Sequence, residues 1–362
     1  NLKTPIGVLL NYPENTSIQR HLSLSGKIKS SSKSVGAIST GVIGAGQFGK
    51  ALLLPALQKE TELNLHTLVT LSGANAEHIG RKFRFAEQST DEAIVWNSDT
   101  IEAIVGLTPH HHHSSLVKSS IRSGKALFLE KPLCINQKEL KEIEKLAVEV
   151  DRIPLIMIGH NRPFSPHIRQ LKRWLINRKT PLVAKMRVNV GFVSADHWVN
   201  YNEEGRSRVV GEMTHFIDLL KCLTDSQVNR VHAERIGGDN LSAVNNDNIV
   251  VTMKFEDGSV ASLIYVASGD KTYSREMLEV FFEGYTLISN DFRVTKKFYG
   301  GKNQTFKTHT QEMGYKEELK HFALCLKGKQ NLIVGLEKEI STMRTIFSIE
   351  KSLATGKVVN LS

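Results

Sequence analysis

Two unlike halves are predicted for this 362-residue chain. The first is a doubly wound α/β half with a parallel sheet. The second is an open-faced, mostly antiparallel α/β (α+β) half. Three observations carry that expectation. Strand-like and helix-like segments alternate from Val35 to His160, and apolar strands in such an alternation form a parallel sheet covered on both faces. After Arg162 the strand-like segments follow one another almost without interruption, and Asp257-Gly258 makes a hairpin turn between two of them. Between the first strand and the first helix, Gly44, Gly46 and Gly49 stand in G-x-G-x-x-G spacing.

Taken in order, residues 1–34 read as a linker or the tail of an upstream module. Ile6–Leu10 suits only a short strand, and Ser23–Ser34 is rich in Ser and Lys. Residues 35–160 form the dinucleotide-binding half. Its expected strands are Val35–Ile43, Leu63–Leu71, Glu102–Leu107, Ala126–Glu130 and Pro154–His160. Its expected helices are Lys50–Gln58, Ala76–Phe83, His111–Ser123 (closed by Gly124) and Gln137–Val150. Residues 161–334 form the second half. Here helices Ser165–Asn177, Glu212–Cys222 and Gly314–Lys327 accompany strands Val183–Val193, Val228–Ile236, Asn248–Phe255, Ser259–Ala267, Met277–Glu283 and Tyr285–Asn290. In residues 335–362 a final helix, Leu336–Leu353, is expected to pack back on the first half. No internal repeat is visible.

Composition narrows the function. No apolar run reaches membrane-span length. Cys134, Cys222 and Cys325 lie far apart without C-x-x-C spacing, which reads as reduced thiols in a cytoplasmic protein. The net charge of +10 suits an anionic ligand such as a nucleotide or nucleotide-sugar. Lys and Arg are dispersed with no aromatic-basic motif, so nucleic acid is not expected. The first residue is Asn, as in a processed chain or a piece of a longer one.

The glycines each have a task. Gly44 permits the tight turn, Gly46 lets a pyrophosphate approach the backbone, and Gly49 lets the helix sit on the strand. The helix start then offers N–H groups to phosphate, with Gln47 and Phe48 beside it. The second strand ends Val69-Thr70-Leu71-Ser72. It has neither a carboxylate for ribose nor an Arg for a 2′-phosphate, so NAD and NADP both remain open, with Thr70 and Ser72 as candidate hydroxyl contacts. Thr108 and Pro109 close the third strand ahead of His110–His113. Adjacent histidines on a helix diverge, which disfavours a compact metal site. His113 falls in the first helical turn, where it either meets the cofactor or fills the crevice.

Glu130-Lys131-Pro132 lies at a strand's carboxyl end. A lysine there can bond a substrate hydroxyl and help move its proton, or simply cap the strand at the surface. Asn161 and Arg162 stand at the junction of the halves, where polar groups commonly line a cleft. Glu212, His215 and Asp218 fall three apart on one helix. A His flanked by carboxylates is a proton carrier or a satisfied buried ring.

The stretches GVIGAGQFG, TPHHHH, EKPL, GHNRPF and GEMTHFIDLL, in this order, resemble the glucose–fructose oxidoreductase/inositol dehydrogenase (Gfo/Idh/MocA) family from about Val35 to about Thr355. The resemblance implies a Rossmann domain followed by an α/β domain with an open antiparallel sheet. It implies an NAD or NADP cofactor and hydride transfer at a carbinol of a sugar, cyclitol or nucleotide-sugar. Lys131 matches the family's EKP lysine and His215 its catalytic histidine. The family's Asp four residues before that His is Gly211 here, so Glu212 is the candidate replacement. Gly205-Arg206-Ser207-Arg208 stands where a glycine run is usual. Asn161, Arg162, His197 and Trp198 are expected to shape the sugar pocket, and Glu130, Lys131 and Asn161 to reach the cofactor.

The segment Asp196–Asn200 with VVGEMTHFIDLL resembles a narrower branch. There this module follows a zinc-type alcohol dehydrogenase-like module, in bacterial surface-polysaccharide pathways. The open sheet face implies a homo-oligomer, a dimer or tetramer. Two other readings stay open: a non-catalytic NAD(P)-binding sensor or scaffold, and an NAD-dependent glycoside hydrolase.

Overall fold

The computed structural model describes residues 20–23, 36–192, 207–237 and 248–361. The first half contains β1 (His21–Ser23), β2 (Ile38–Ile43), α1 (Leu54–Lys59), β3 (Leu63–Val69), α2 (Gly73–Phe83), β4 (Glu87–Ser89), α3 (Ala93–Trp96), β5 (Ala103–Gly106), α4 (His113–Ser123), β6 (Ala126–Leu129), α5 (Gln137–Glu149) and β7 (Ile156–Ile158). Its sheet runs β1-β4-β3-β2-β5-β6-β7. All pairs are parallel except β1 with β4. Ala-Ile-Val-Gly in β5 and Ala-Leu-Phe-Leu in β6 are buried throughout, as central strands covered on both faces must be. The expected parallel sheet is therefore present.

Residues 1–34 are not linker throughout, because His21–Ser23 pairs with Glu87–Ser89 and covers the sheet's edge. The short polar β4 gave no apolar signal. The helix after the glycines starts with a wide turn, Gly49–Leu53, in which the Leu54 N–H reaches the Gly49 carbonyl. Pro55, just inside α1, has no N–H to continue an ordinary ladder.

The second half contains α6 (Pro166–Leu175), β8 (Val183–Asn189), α7 (Arg208–Glu212), α8 (Thr214–Thr224), β9 (Val228–Arg235), β10 (Ile249–Phe255), β11 (Val260–Val266), β12 (Glu276–Phe282), β13 (Tyr285–Asn290), β14 (Val294–Tyr299), β15 (Lys302–Lys307), α9 (Tyr315–Leu326), α10 (Leu336–Thr355) and β16 (Val359–Asn360). Its sheet runs β15-β14-β13-β12-β8-β11-β10-β9-β16, with β8 and β11 the parallel pair. One face is buried under α6, α8 and α10, as in Ala184, Met186 and Val188 of β8. The β14–β15 hairpin was not foreseen. Lys-Asn-Gln-Thr-Phe-Lys is mostly exposed and lacks apolar alternation.

Both of the last helices reach the first half. α9 returns to the first half, with Phe322 edge-on to Phe128 at 5.6 Å and Lys327 paired with Glu62. α10 lies against β9 and α8 of the second half and against α5 and β7 of the first, with Arg344 Nε 2.9 Å from Glu144 Oε1. Among the described residues no helix is long and apolar enough to cross a membrane. Cys134, Cys222 and Cys325 are free thiols.

Candidate active site

The β2–α1 turn builds a cradle. Gly44 has φ +89°, and a Cβ there would stand 2.6 Å from the Leu107 carbonyl oxygen, so a side chain is excluded on both counts. A Cβ on Gly46 would meet nothing within 4 Å. That position opens outward beside exposed Gln47 and Phe48. A Cβ on Gly49 would press on the Leu107 side chain at 3.1 Å. Turn, open approach and close packing are the three tasks of a dinucleotide fingerprint. At the strand ends nearby, buried Thr108 Oγ1 and Glu130 Oε1 have no hydrogen-bond partner among the described residues. Polar atoms of this kind call for a ligand or water. The residues present fit a dinucleotide.

Other expected cofactor contacts are engaged elsewhere. Thr70 Oγ1 donates to the Ser72 carbonyl at 2.8 Å, and Ser72 Oγ caps α2 by accepting from the Asn75 N–H at 3.4 Å. Each keeps only part of its bonding capacity for a ribose. His113 is fully buried, with Nδ1 2.6 Å from the Pro132 carbonyl and Nε2 3.0 Å from that of Thr108. It ties the turn after β5 to the turn after β6, which is the crevice-filling reading. Burial lowers its pKa to about 4. Pro109 leads into the His110–His112 turn. Asn161 is buried, and its Nδ2 donates to the Met313 carbonyl at 2.7 Å, so its side chain anchors the lead into α9.

Across the crevice, Lys131 Nζ donates to the Gly211 carbonyl at 2.8 Å. Burial lowers the Lys131 pKa; Glu212 and Glu130 oppose this, and Arg162 and Arg275 add to it. His215, on the first turn of α8, is 9% exposed. Burial, then the charges of Arg162 and Lys131, hold its pKa well below the ordinary histidine value, so the ring is neutral. The Lys131 amine is bonded to α7, just before α8, and its charge acts on the His215 ring.

Glu212 is held by two partners. Its Oε2 accepts from the Tyr265 hydroxyl at 2.8 Å and its Oε1 lies 3.3 Å from Arg208 Nε. Burial pushes its pKa up, but Arg208, Lys131 and Tyr265 outweigh burial and hold it below the usual carboxylate value. Its charge acts on Lys131. The helix expected over Glu212–Cys222 is two helices that meet at Met213, and this separates Glu212 from the turn that carries His215 and Asp218.

Arg162 corrects an expectation. It is buried, and it bonds Glu276 through both Nε at 2.9 Å and a terminal nitrogen at 2.6 Å, with its guanidinium 4.8 Å from the Phe216 ring centre. It holds the second sheet to the junction and is not free for a substrate anion. His197 and Trp198 lie outside the described residues.

Three participants were missed. Arg275 is exposed, and its charge acts on Lys131, Glu212 and His215. His160 was visible in GHNRPF only as part of a junction. Glu339, 2.8 Å from His160, lies 179 residues onward in a helix rich in Glu and Lys, where no local pattern marks it.

Comparison with known proteins agrees with this geometry. Residues 38–160 match the Gfo/Idh/MocA profile, described as an oxidoreductase family with an NAD-binding Rossmann fold. The uncharacterized oxidoreductase YrbE of Bacillus subtilis is 21% identical over 90% of this chain and 96% of its own length. The myo-inositol 2-dehydrogenase of Thermotoga maritima is 21% identical over 89% of this chain and 98% of its own. A solved levoglucosan dehydrogenase, in complex with NADH and levoglucosan, shares the fold with a TM-score of 0.76 at 16% identity, over 90% of this chain and 99% of that one. The two-sheet architecture agrees with these likenesses, and residues 38–160, with the fingerprint turn, belong to the NAD-binding Rossmann fold of the Gfo/Idh/MocA oxidoreductase family.

Proposed function

We propose that the protein moves hydride between a bound nicotinamide dinucleotide and a ring CH–OH carbon of a sugar, cyclitol or nucleotide-sugar. The observation that carries this reading is the Lys131 amine, at the carboxyl end of a strand of the first sheet, bonded to the Gly211 carbonyl and acting by its charge on the neutral His215 ring. Nicotinamide supplies the hydride chemistry when bound. In oxidation Lys131 donates a hydrogen bond to the substrate hydroxyl oxygen and favours its ionised form. His215 accepts the proton. Glu212, kept anionic by Arg208 and Tyr265, helps Lys131 stay charged. Arg275, exposed and acting by its charge on Lys131 and His215, supports a carboxylate or phosphate on the substrate. The myo-inositol and levoglucosan dehydrogenases among the relatives support a ring carbinol as the reacting group.

The test is a panel of free sugars, cyclitols, uronic acids and nucleotide-sugars offered with NAD⁺ and with NADP⁺, following nicotinamide absorbance. Reduction by one class supports the reading and names the preferred dinucleotide. A nucleotide-sugar as the best substrate would support a place in surface-polysaccharide synthesis. Tight dinucleotide binding without hydride transfer across the panel would replace the enzyme with a sensor or scaffold.

A further inference from the structure

His160 stands between two buried groups. Its Nε2 lies 2.8 Å from Glu339 Oε2, and its Nδ1 lies 3.4 Å from His215 Nδ1. His160 and Glu339 are wholly buried. We propose that Glu339 and His160 form a relay that fixes which nitrogen of His215 carries hydrogen and receives the proton His215 takes from the substrate. The direction of proton flow rests on the dehydrogenase reading; the relay itself does not.

Only one hydrogen fits between the two Nδ1 atoms. A Glu339 carboxylate requires His160 to donate from Nε2. A neutral His160 then has a bare Nδ1, so His215 donates from its own Nδ1 and presents a bare Nε2, which is a base. When His160 is an imidazolium it donates from Nδ1. His215 then holds its hydrogen on Nε2 and is an acid. In oxidation the substrate O–H proton passes to His215 Nε2 and the His215 Nδ1 hydrogen passes to His160 Nδ1. A bound nicotinamide would take up the C–H hydride, while the O–H bonding pair becomes the second bond of C=O. The proton ends on His160, paired with Glu339. Reduction runs the same steps backward.

The surroundings favour this division. Glu339 on α10 and Asp218 on α8 face His160 with negative charge; Lys131 and Glu130 approach from the end of β6, and Lys221 and Lys338 stand near the two acids. Burial lowers the His160 pKa, but Glu339 and Asp218 outweigh it and leave it above the ordinary histidine value. The neighbouring His215 is held neutral. A proton delivered to the pair therefore settles on His160. His160 is a positioning residue, since it acts through His215.

The experiment is nitrogen NMR of isotope-labelled histidine rings, titrated through the histidine range in the full chain without substrate or cofactor. Signals are assigned by their loss in His160→Asn and His215→Asn. His160 should titrate above the ordinary value. Through that transition His215 Nδ1 should change from hydrogen-bearing at high pH to bare at low pH, without His215 becoming charged. Glu339→Gln should move the His160 midpoint down, and with it the acid limb of oxidation once a substrate is in hand. A His215 ring whose tautomer does not change through the His160 transition overturns the relay, as does a midpoint indifferent to Glu339→Gln. If the Gln variant does not fold, the unaltered protein's titration decides alone. A failed substrate panel would remove the dehydrogenase reading and leave the ring titration to be judged separately.

Discussion

Lys131 Nζ and the Gly211 carbonyl meet at 2.8 Å although 80 residues separate them in sequence. The bond draws the end of β6 to the helix pair that carries His215. It also orients an amine whose pKa burial has lowered and which Glu212 helps to keep charged. Position and charge are set by the same contact, so removing the amine tests both.

Lys131→Met keeps most of the side-chain length and removes donor and charge. Turnover of the best substrate is expected to fall roughly 10²- to 10⁴-fold, as for loss of a positioned acid or base. Dinucleotide affinity, read by fluorescence titration, should change little. Unimpaired turnover would take Lys131 out of the chemistry.

Gly44→Ala and Gly46→Ala separate folding from binding. The first places a Cβ at φ +89° and 2.6 Å from the Leu107 carbonyl oxygen. It should cost about 1–3 kcal/mol of stability in thermal or urea unfolding, the usual scale of backbone strain. The second meets nothing within 4 Å, so unfolding should be unchanged while dinucleotide affinity falls. Equal affinity in Gly46→Ala and the unaltered protein would move the phosphates away from this turn.

Glu318 predicts a pH effect on stability. It is wholly buried on α9, and neither carboxyl oxygen has a hydrogen-bond partner among the described residues. Burial, then Glu130 and Asp218, raise its pKa well above the ordinary glutamate value, against a lesser pull from Arg162. The unfolded chain releases this proton at the ordinary value while the folded chain retains it. Stability from this group is thus fully present below the ordinary value and is lost as pH rises through the raised one. Glu318→Gln should raise the melting temperature at neutral pH, with the gain vanishing in acid. A gain that does not vary with pH would mean that Glu318 never holds its proton.

The outer face of the second sheet predicts assembly. Val260, Val183 and Phe281 are cross-strand neighbours on β11, β8 and β12, and they are 40%, 54% and 40% exposed. An apolar row of this kind suits a second copy of the chain. Val183→Asp with Phe281→Asp should lower the mass measured by light scattering to that of a single chain. A single-chain mass before any substitution would refute the expected oligomer.

The first sheet was legible because β5 and β6 are apolar runs and the longer helices have turn signals beside them. The glycine fingerprint, Lys131 and His215 were legible because each stands in a short motif. What escaped did so for physical reasons. β15 is polar and exposed, so it has no alternation to betray it. The break at Met213 lies inside a continuous helical pattern. Arg162 looked like a substrate ligand because its partner, Glu276, is 114 residues away. Pairings that distant are made by the packing of sheets and helices, which no local spacing records.

α10 grips the molecule at three heights: Glu339 on His160, Arg344 on Glu144, and the strand after it on β9. Swinging the two sheets apart would strip a buried imidazole of its counter-charge. Entry and exit of a ligand are therefore expected to proceed by small adjustments at the rim, with the body of the enzyme behaving as one rigid clamp.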